Sequence, residues 1–164
     1  LDLVPFIKEL NQETVSISGL GQGSYDFLID GTVIGRYSAE ELKAGVNFTT
    51  VKATPQYKQA VQVKSFLEMR SYLYSGKLRD LAVVRLSLLS KSADGSPAAE
   101  QKILEDDLAK SRTNNNSYGV ALVEGYMKNV KVEAQLKQEA ATFLEKAYTA
   151  SKPKSHRYEI KRVR

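Results

Sequence analysis

The sequence contains no cysteine. This absence excludes disulfide bonds, thiolate metal sites and cysteine nucleophiles together. It leaves the compartment open, because cytosolic and periplasmic proteins can both lack cysteine. Any chemistry in this chain must therefore use other side chains.

Long hydrophobic runs are also absent. The longest, from Leu81 to Leu89, is interrupted by Arg85 and Ser87, whereas a membrane helix needs about 20 apolar residues. We therefore expect no membrane span. The chain shows no signal-peptide pattern. Because it begins with Leu1, we expect a fragment, a processed product or a trimmed chain.

Histidine occurs once, so His156 is the sole candidate imidazole base. No carboxylate lies within three residues before it, and Glu159 is the nearest one after it. We interpret His156 as a structural residue of a terminal strand. Glu105, Asp106 and Asp107 are consecutive and point in different directions on a helix, so we interpret them as a solvated surface.

The positive charge is concentrated at one end of the chain. Residues 152–164 carry six basic side chains and one acidic side chain, which accounts for the whole net charge of +5. A neutral body disfavours a nucleic-acid-binding protein. We interpret the basic tail as a terminal strand that exposes its charges, with phosphates or an anionic surface as the alternative.

No segment carries a recognisable active site. Gly19–Ser24 is rich in glycine, but it lies between two short strands and precedes no helix that could bind a phosphate, so we predict a turn. The sequence contains neither Gly-Asp-Ser nor Gly-x-Ser-x-Gly. We therefore predict no catalytic, cofactor-binding or metal-ligating residue, and no cofactor.

Alternating apolar residues predict three strands near the start, at residues 14–18, 25–29 and 32–37. Asp30-Gly31 lies between the second and third of these. Both central residues of a type I′ turn need positive φ, which makes this dipeptide a strong hairpin signal. We expect an antiparallel meander of three strands.

Helices are predicted from residue 38 onwards by their starting signals. The three N-terminal signals are the capping box Ser38–Glu41, Thr54-Pro55 and Ser96-Pro97. We expect Gly45 to end the first helix and Gly76 to weaken the second. Residues 118–148 are predicted to be helical with an interruption near Asn129, and residues 156–163 alternate like a last strand.

These elements predict an α+β fold. We expect a small antiparallel β subdomain with a short helix at residues 1–50, a helical region at 51–151 and a basic terminal strand at 152–164. The three parts are expected to form one structural unit.

Several spaced positions together resemble the segment that follows the catalytic core in a group of bacterial SGNH/GDSL hydrolases. The matching residues are Leu1–Phe6, Val15–Leu20, Gly23–Tyr25, Ile29–Gly31, Gly35, Tyr37–Leu42, Ala44–Asn47, Thr54-Pro55, Gln59-Ala60 and Lys152–Ile160. The similarity covers residues 1–75 and 140–163, and residues 90–130 have no counterpart in it.

The resemblance implies a parent enzyme with a three-layer α/β fold, a Gly-Asp-Ser nucleophile and an Asp-x-x-His base. All of these blocks lie upstream of the matched part, so none is assigned to a residue of this chain. It also implies a periplasmic or secreted protein whose parent acts on an acylated carbohydrate.

Two functions follow as hypotheses. In the first, the chain is a C-terminal accessory segment of a serine esterase, and its partner is the catalytic core of that enzyme. In the second, it is an independent binding or interaction module. The first predicts that the apolar residues of Leu1–Leu10 and Leu78–Leu89 meet another chain or lie exposed.

Overall fold

The computed structural model describes residues 5–92 and 94–163. It divides into two compact units. We call Leu1–Val63 with Thr149–Arg164 the β unit, and Lys64–Tyr148 the helical unit. The α+β class predicted from the sequence is confirmed, whereas the predicted division at residues 50 and 151 stays a prediction.

The β unit is built on a hairpin of β2 (Ser24–Ile29) and β3 (Thr32–Ser38). Ile29 pairs with Thr32, so the loop has two residues. Asp30 and Gly31 have φ values of 51° and 77°, which confirms the predicted primed turn.

The third strand of this sheet comes from the other end of the chain. β5 (Tyr158–Arg162) pairs antiparallel with β2, and Ile160 lies opposite Phe27. The sheet order is therefore β3-β2-β5. The ring centroids of Phe27 and Phe48 are 4.6 Å apart. Both rings belong to the core of the β unit.

The predicted three-stranded meander is wrong in one strand. β1 (Thr14–Val15) pairs with β4 (Val46–Asn47) in a separate two-stranded sheet. The side chain of Asn47 explains this pairing. Its Oδ1 accepts from the Glu13 amide at 3.0 Å, and its Nδ2 donates to the Asn11 carbonyl at 3.1 Å.

The described residues also form seven α-helices. They are α1 (Phe6–Glu9), α2 (Ala39–Ala44), α3 (Pro55–Leu73), α4 (Arg79–Ser87), α5 (Pro97–Thr113), α6 (Ser117–Asn129) and α7 (Glu133–Ser151). Short 3-10 segments occupy Leu89–Lys91 and Val130–Val132, the second of which confirms the expected interruption near Asn129.

The predicted helix starts are confirmed by their caps. Ser38 Oγ accepts from the Glu41 amide at 3.1 Å, and Glu41 Oε2 accepts from the Ser38 amide at 2.7 Å. Thr54 Oγ1 accepts from the Tyr57 amide at 3.1 Å. Ser96 Oγ accepts from the Ala99 amide at 3.2 Å. Each cap satisfies a backbone donor that the first turn leaves unpaired.

The predicted weak point at Gly76 is also confirmed. Between α3 and α4 the backbone winds as a π-helix over Tyr74–Leu78, with Gly76 at its centre. Such a segment adds a residue to the turn. It therefore shifts the faces of α4 relative to a continuous helix.

The helical unit has its own core. Leu81, Val84, Val123 and Ala140 are at most 1% exposed within it. The expectation that the face of Leu78–Leu89 lies open or meets another chain is therefore wrong, because Leu78, Leu81, Val84 and Leu89 pack against residues of α5, α6 and α7. Leu86 points outwards and is 77% exposed.

Candidate functional site

His156 and Asp30 form the one imidazole–carboxylate pair of the described chain. His156 Nδ1 lies 2.7 Å from Asp30 Oδ2 and donates to it. The other carboxylate oxygen, Oδ1, accepts from the Arg157 amide at 2.9 Å, and the Asp30 amide donates to the Arg157 carbonyl at 2.8 Å. The hairpin turn thus holds the segment that enters β5 by three hydrogen bonds.

The environment of Asp30 favours its ionised form. The Arg157 amide, followed by His156, lowers the pKa of the Asp30 carboxyl below its ordinary value of 3.8. A carboxylate that accepts two hydrogen bonds is stabilised as the anion. Asp30 therefore fixes the orientation of the His156 ring, whose side chain is 12% exposed.

A polar cleft of about 350 Å³ lies beside this pair, entirely within the β unit. His156 lines it together with Gln56 and Gln59 from α3, Ser151 at the end of α7, and Lys154 and Tyr158. Gln59 Nε2 donates to the carbonyls of Ala150 and Lys152 at 2.6 and 2.8 Å. These bonds hold the end of α7 and the residue after it against α3.

Gln56 closes one side of the cleft. Its Nε2 donates to the Tyr158 hydroxyl, and the Tyr158 ring packs edge-on against Phe27 at 6.0 Å. Gln56 Oε1 is enclosed and has no partner among the described residues. An enclosed acceptor without a donor costs about 1–3 kcal/mol.

From the sequence, His156 is interpreted as a structural strand residue and Asp30 as a turn residue. Their contact was not predicted, because Glu159 is the carboxylate near His156 in sequence and the two paired residues are 126 positions apart. In a serine-hydrolase triad, a carboxylate that is hydrogen-bonded to the histidine orients the imidazole ring. The triad also needs a serine in a nucleophile context, which the sequence lacks.

The other sequence candidates lie elsewhere. Glu105, Asp106 and Asp107 lie on α5, and Gln101 Nε2 donates to Glu105 Oε1 at 2.8 Å. No group of three or more acidic or histidine side chains in residues 5–92 and 94–163 could hold a metal ion. Gly19–Ser24 leads directly into β2, and Gly19 and Gly23 have positive φ.

None of the helices in the described residues combines the length and hydropathy needed to cross a membrane. The described apolar residues of Leu1–Leu10 are partly uncovered, since Phe6, Ile7 and Leu10 are 56%, 46% and 70% exposed. Leu1–Val4 lie outside the described residues.

Comparison with known proteins gives one informative match. No protein-family model matches the sequence, and no curated protein matches it. Among solved structures, the fold is similar to BT4096, a gut microbial diltiazem-metabolizing enzyme, with a TM-score of 0.85 and 25% sequence identity. The similarity covers 98% of this chain but 36% of the enzyme chain.

Proposed function

We propose that this chain is the C-terminal accessory segment of a serine esterase of the SGNH/GDSL type, where it supports a catalytic core. The observation that carries the proposal is the unequal coverage of the structural match, which takes in nearly all of this chain and about a third of a metabolizing enzyme. About two thirds of that enzyme chain lies outside the similarity, which leaves room for a separate catalytic part.

Two features of the chain support this proposal. The spaced residues that resemble the segment after an SGNH/GDSL core include Ile29–Gly31 and Lys152–Ile160. In the structure these two stretches contribute to neighbouring strands of one sheet. Two motif stretches that are far apart in sequence thus lie side by side in one sheet.

Because this sequence has no nucleophile block, the proposal assigns the reaction to the catalytic core. A serine hydrolase needs an activated serine and placed donors for the oxyanion. Neither Gly-Asp-Ser nor Gly-x-Ser-x-Gly occurs in this sequence. The chemistry of the proposed enzyme therefore resides in its core, and its substrate is proposed to be an acylated carbohydrate.

The proposal is tested with the chain alone and with a longer gene product. We expect the isolated 164 residues to hydrolyse p-nitrophenyl acetate no faster than their His156→Ala variant. We expect a serine-directed fluorophosphonate to label a longer product that carries an upstream Gly-Asp-Ser block, and not the isolated chain.

Two results would contradict the proposal. One is phosphonate-sensitive turnover by the isolated chain. The other is an encoding gene without an upstream serine block, which would favour an independent binding module.

A further inference from the structure

The cleft beside His156 is lined by basic side chains and by no acidic one. Of its lining residues, Lys154 is cationic and His156 becomes cationic when protonated, and no carboxylate lines it. Lys154 is exposed and forms no ion pair with any residue that the structure describes. Lys154 and His156 belong to the segment 152–164, which accounts for the entire net positive charge of the sequence.

The orientation of His156 leaves one ring nitrogen for the cleft. Nδ1 is occupied by Asp30, and both oxygens of Asp30 accept hydrogen bonds. Nε2 is the ring nitrogen that takes no part in the contact with Asp30. An imidazolium donates from both nitrogens, so the protonated ring bonds Asp30 through Nδ1 and can donate through Nε2.

Tyr158 places a hydroxyl in the same cleft. Because this oxygen already accepts from Gln56 Nε2, its own proton remains to be donated. With His156 protonated, the cleft therefore combines an ammonium, an imidazolium and a phenol, all of which can donate to the oxygens of an anion.

We infer that this cleft binds a small oxyanion, either a carboxylate or a phosphate group, through Lys154, His156 and Tyr158. This inference goes beyond the proposed accessory role and does not depend on it, because all the residues involved belong to the β unit. With exposed donors, the dissociation constant is expected to be on the order of 1 mM or weaker.

The single histidine makes the test direct. The Cε1–H resonance of His156 is followed by NMR while sodium acetate or inorganic phosphate is added at constant pH and ionic strength, with chloride as the balancing anion. We expect a saturable shift with at least one of the two probes. Saturation by acetate alone would assign a carboxylate ligand, and saturation by phosphate alone a phosphate ligand.

Matched lysine variants locate the ligand. Lys154→Gln should raise the dissociation constant about two- to fivefold, which is the effect of losing one exposed charge pair. Lys102→Gln, an exposed lysine on α5 in the helical unit, should leave it unchanged. Far-UV circular dichroism checks that both variants fold.

Three results would overturn the inference. They are a shift that grows linearly with both probes, saturation by chloride at the same concentration, and an equal affinity of Lys154→Gln and the unchanged chain.

Discussion

The Asp30 carboxylate connects the hairpin turn to the last strand, and its ionisation should be measurable as a stability change with pH. Because its pKa is lowered in the folded chain, its stabilising contribution is complete above the ordinary value of 3.8 and is lost as the pH falls through the folded value. Asn tolerates positive φ, so Asp30→Asn removes the charge and keeps the turn.

We therefore expect Asp30→Asn to be less stable than the unchanged chain at neutral pH, and the difference to shrink as the pH falls below 3.8. Urea unfolding over a pH series measures it. Asp106→Asn, at an exposed position on α5, serves as the control. A difference that stays constant down to low pH would show that the charge of Asp30 is irrelevant.

Gly31 and Gly76 offer a second test at single residues. A methyl group at either position would meet no atom within 4 Å, but Gly31 has a φ of 77° and Gly76 lies in helical backbone. We expect Gly31→Ala to cost about 1 kcal/mol and Gly76→Ala to stabilise by about 0.5–1 kcal/mol. Thermal unfolding of both variants decides this, and equal signs would contradict the prediction.

At the scale of elements, local chemistry was predictable from sequence and distant pairing was not. Ser38, Thr54 and Ser96 cap their helices with residues three positions away, so the signal lies within one turn. The pairs β1–β4 and β2–β5 depend on segments far apart in sequence. Alternation shows that a strand has a buried face but does not identify its neighbour.

The same limit applies to the candidate site. His156 was visible because it is the one histidine, and the Asp30-Gly31 turn was visible from its dipeptide. Their contact was not visible, because it requires β5 to lie beside β2. A side chain from the hairpin turn and one from the tail are brought together only by the completed sheet.

The burial of α4 can be tested by two leucines on its opposite faces. Leu81 is 1% exposed and Leu86 is 77% exposed. We expect Leu81→Ala to cost about 2–5 kcal/mol through the lost burial and the cavity. Leu86→Ala should change the free energy of unfolding by less than about 0.5 kcal/mol. Urea titration measures both, and a large loss at Leu86 would place another chain against this face.

At the scale of the whole molecule, the uncovered residues of α1 and the adjoining Leu10 should report on the proposed core. Phe6, Ile7 and Leu10 are exposed here. If the core covers them, backbone amides of α1 should exchange with deuterium at least about tenfold more slowly in the longer enzyme than in the 164-residue chain. Amides of Leu89–Lys91 serve as the internal reference. Equal exchange at α1 in both proteins would exclude it as the docking surface.

The joining of β5 to β2 also has a consequence for synthesis on the ribosome. Asp30 and Arg157 are 127 residues apart, a length that translation at about 5–20 residues per second needs about 6–25 s to cover. The β2–β3 hairpin can form in about 1–10 μs. For several seconds the nascent chain therefore displays β2 without its second neighbour, and an unpaired edge is a template for association with other chains. Residues 25–29 are thus the segment where a chaperone would protect this protein during its production.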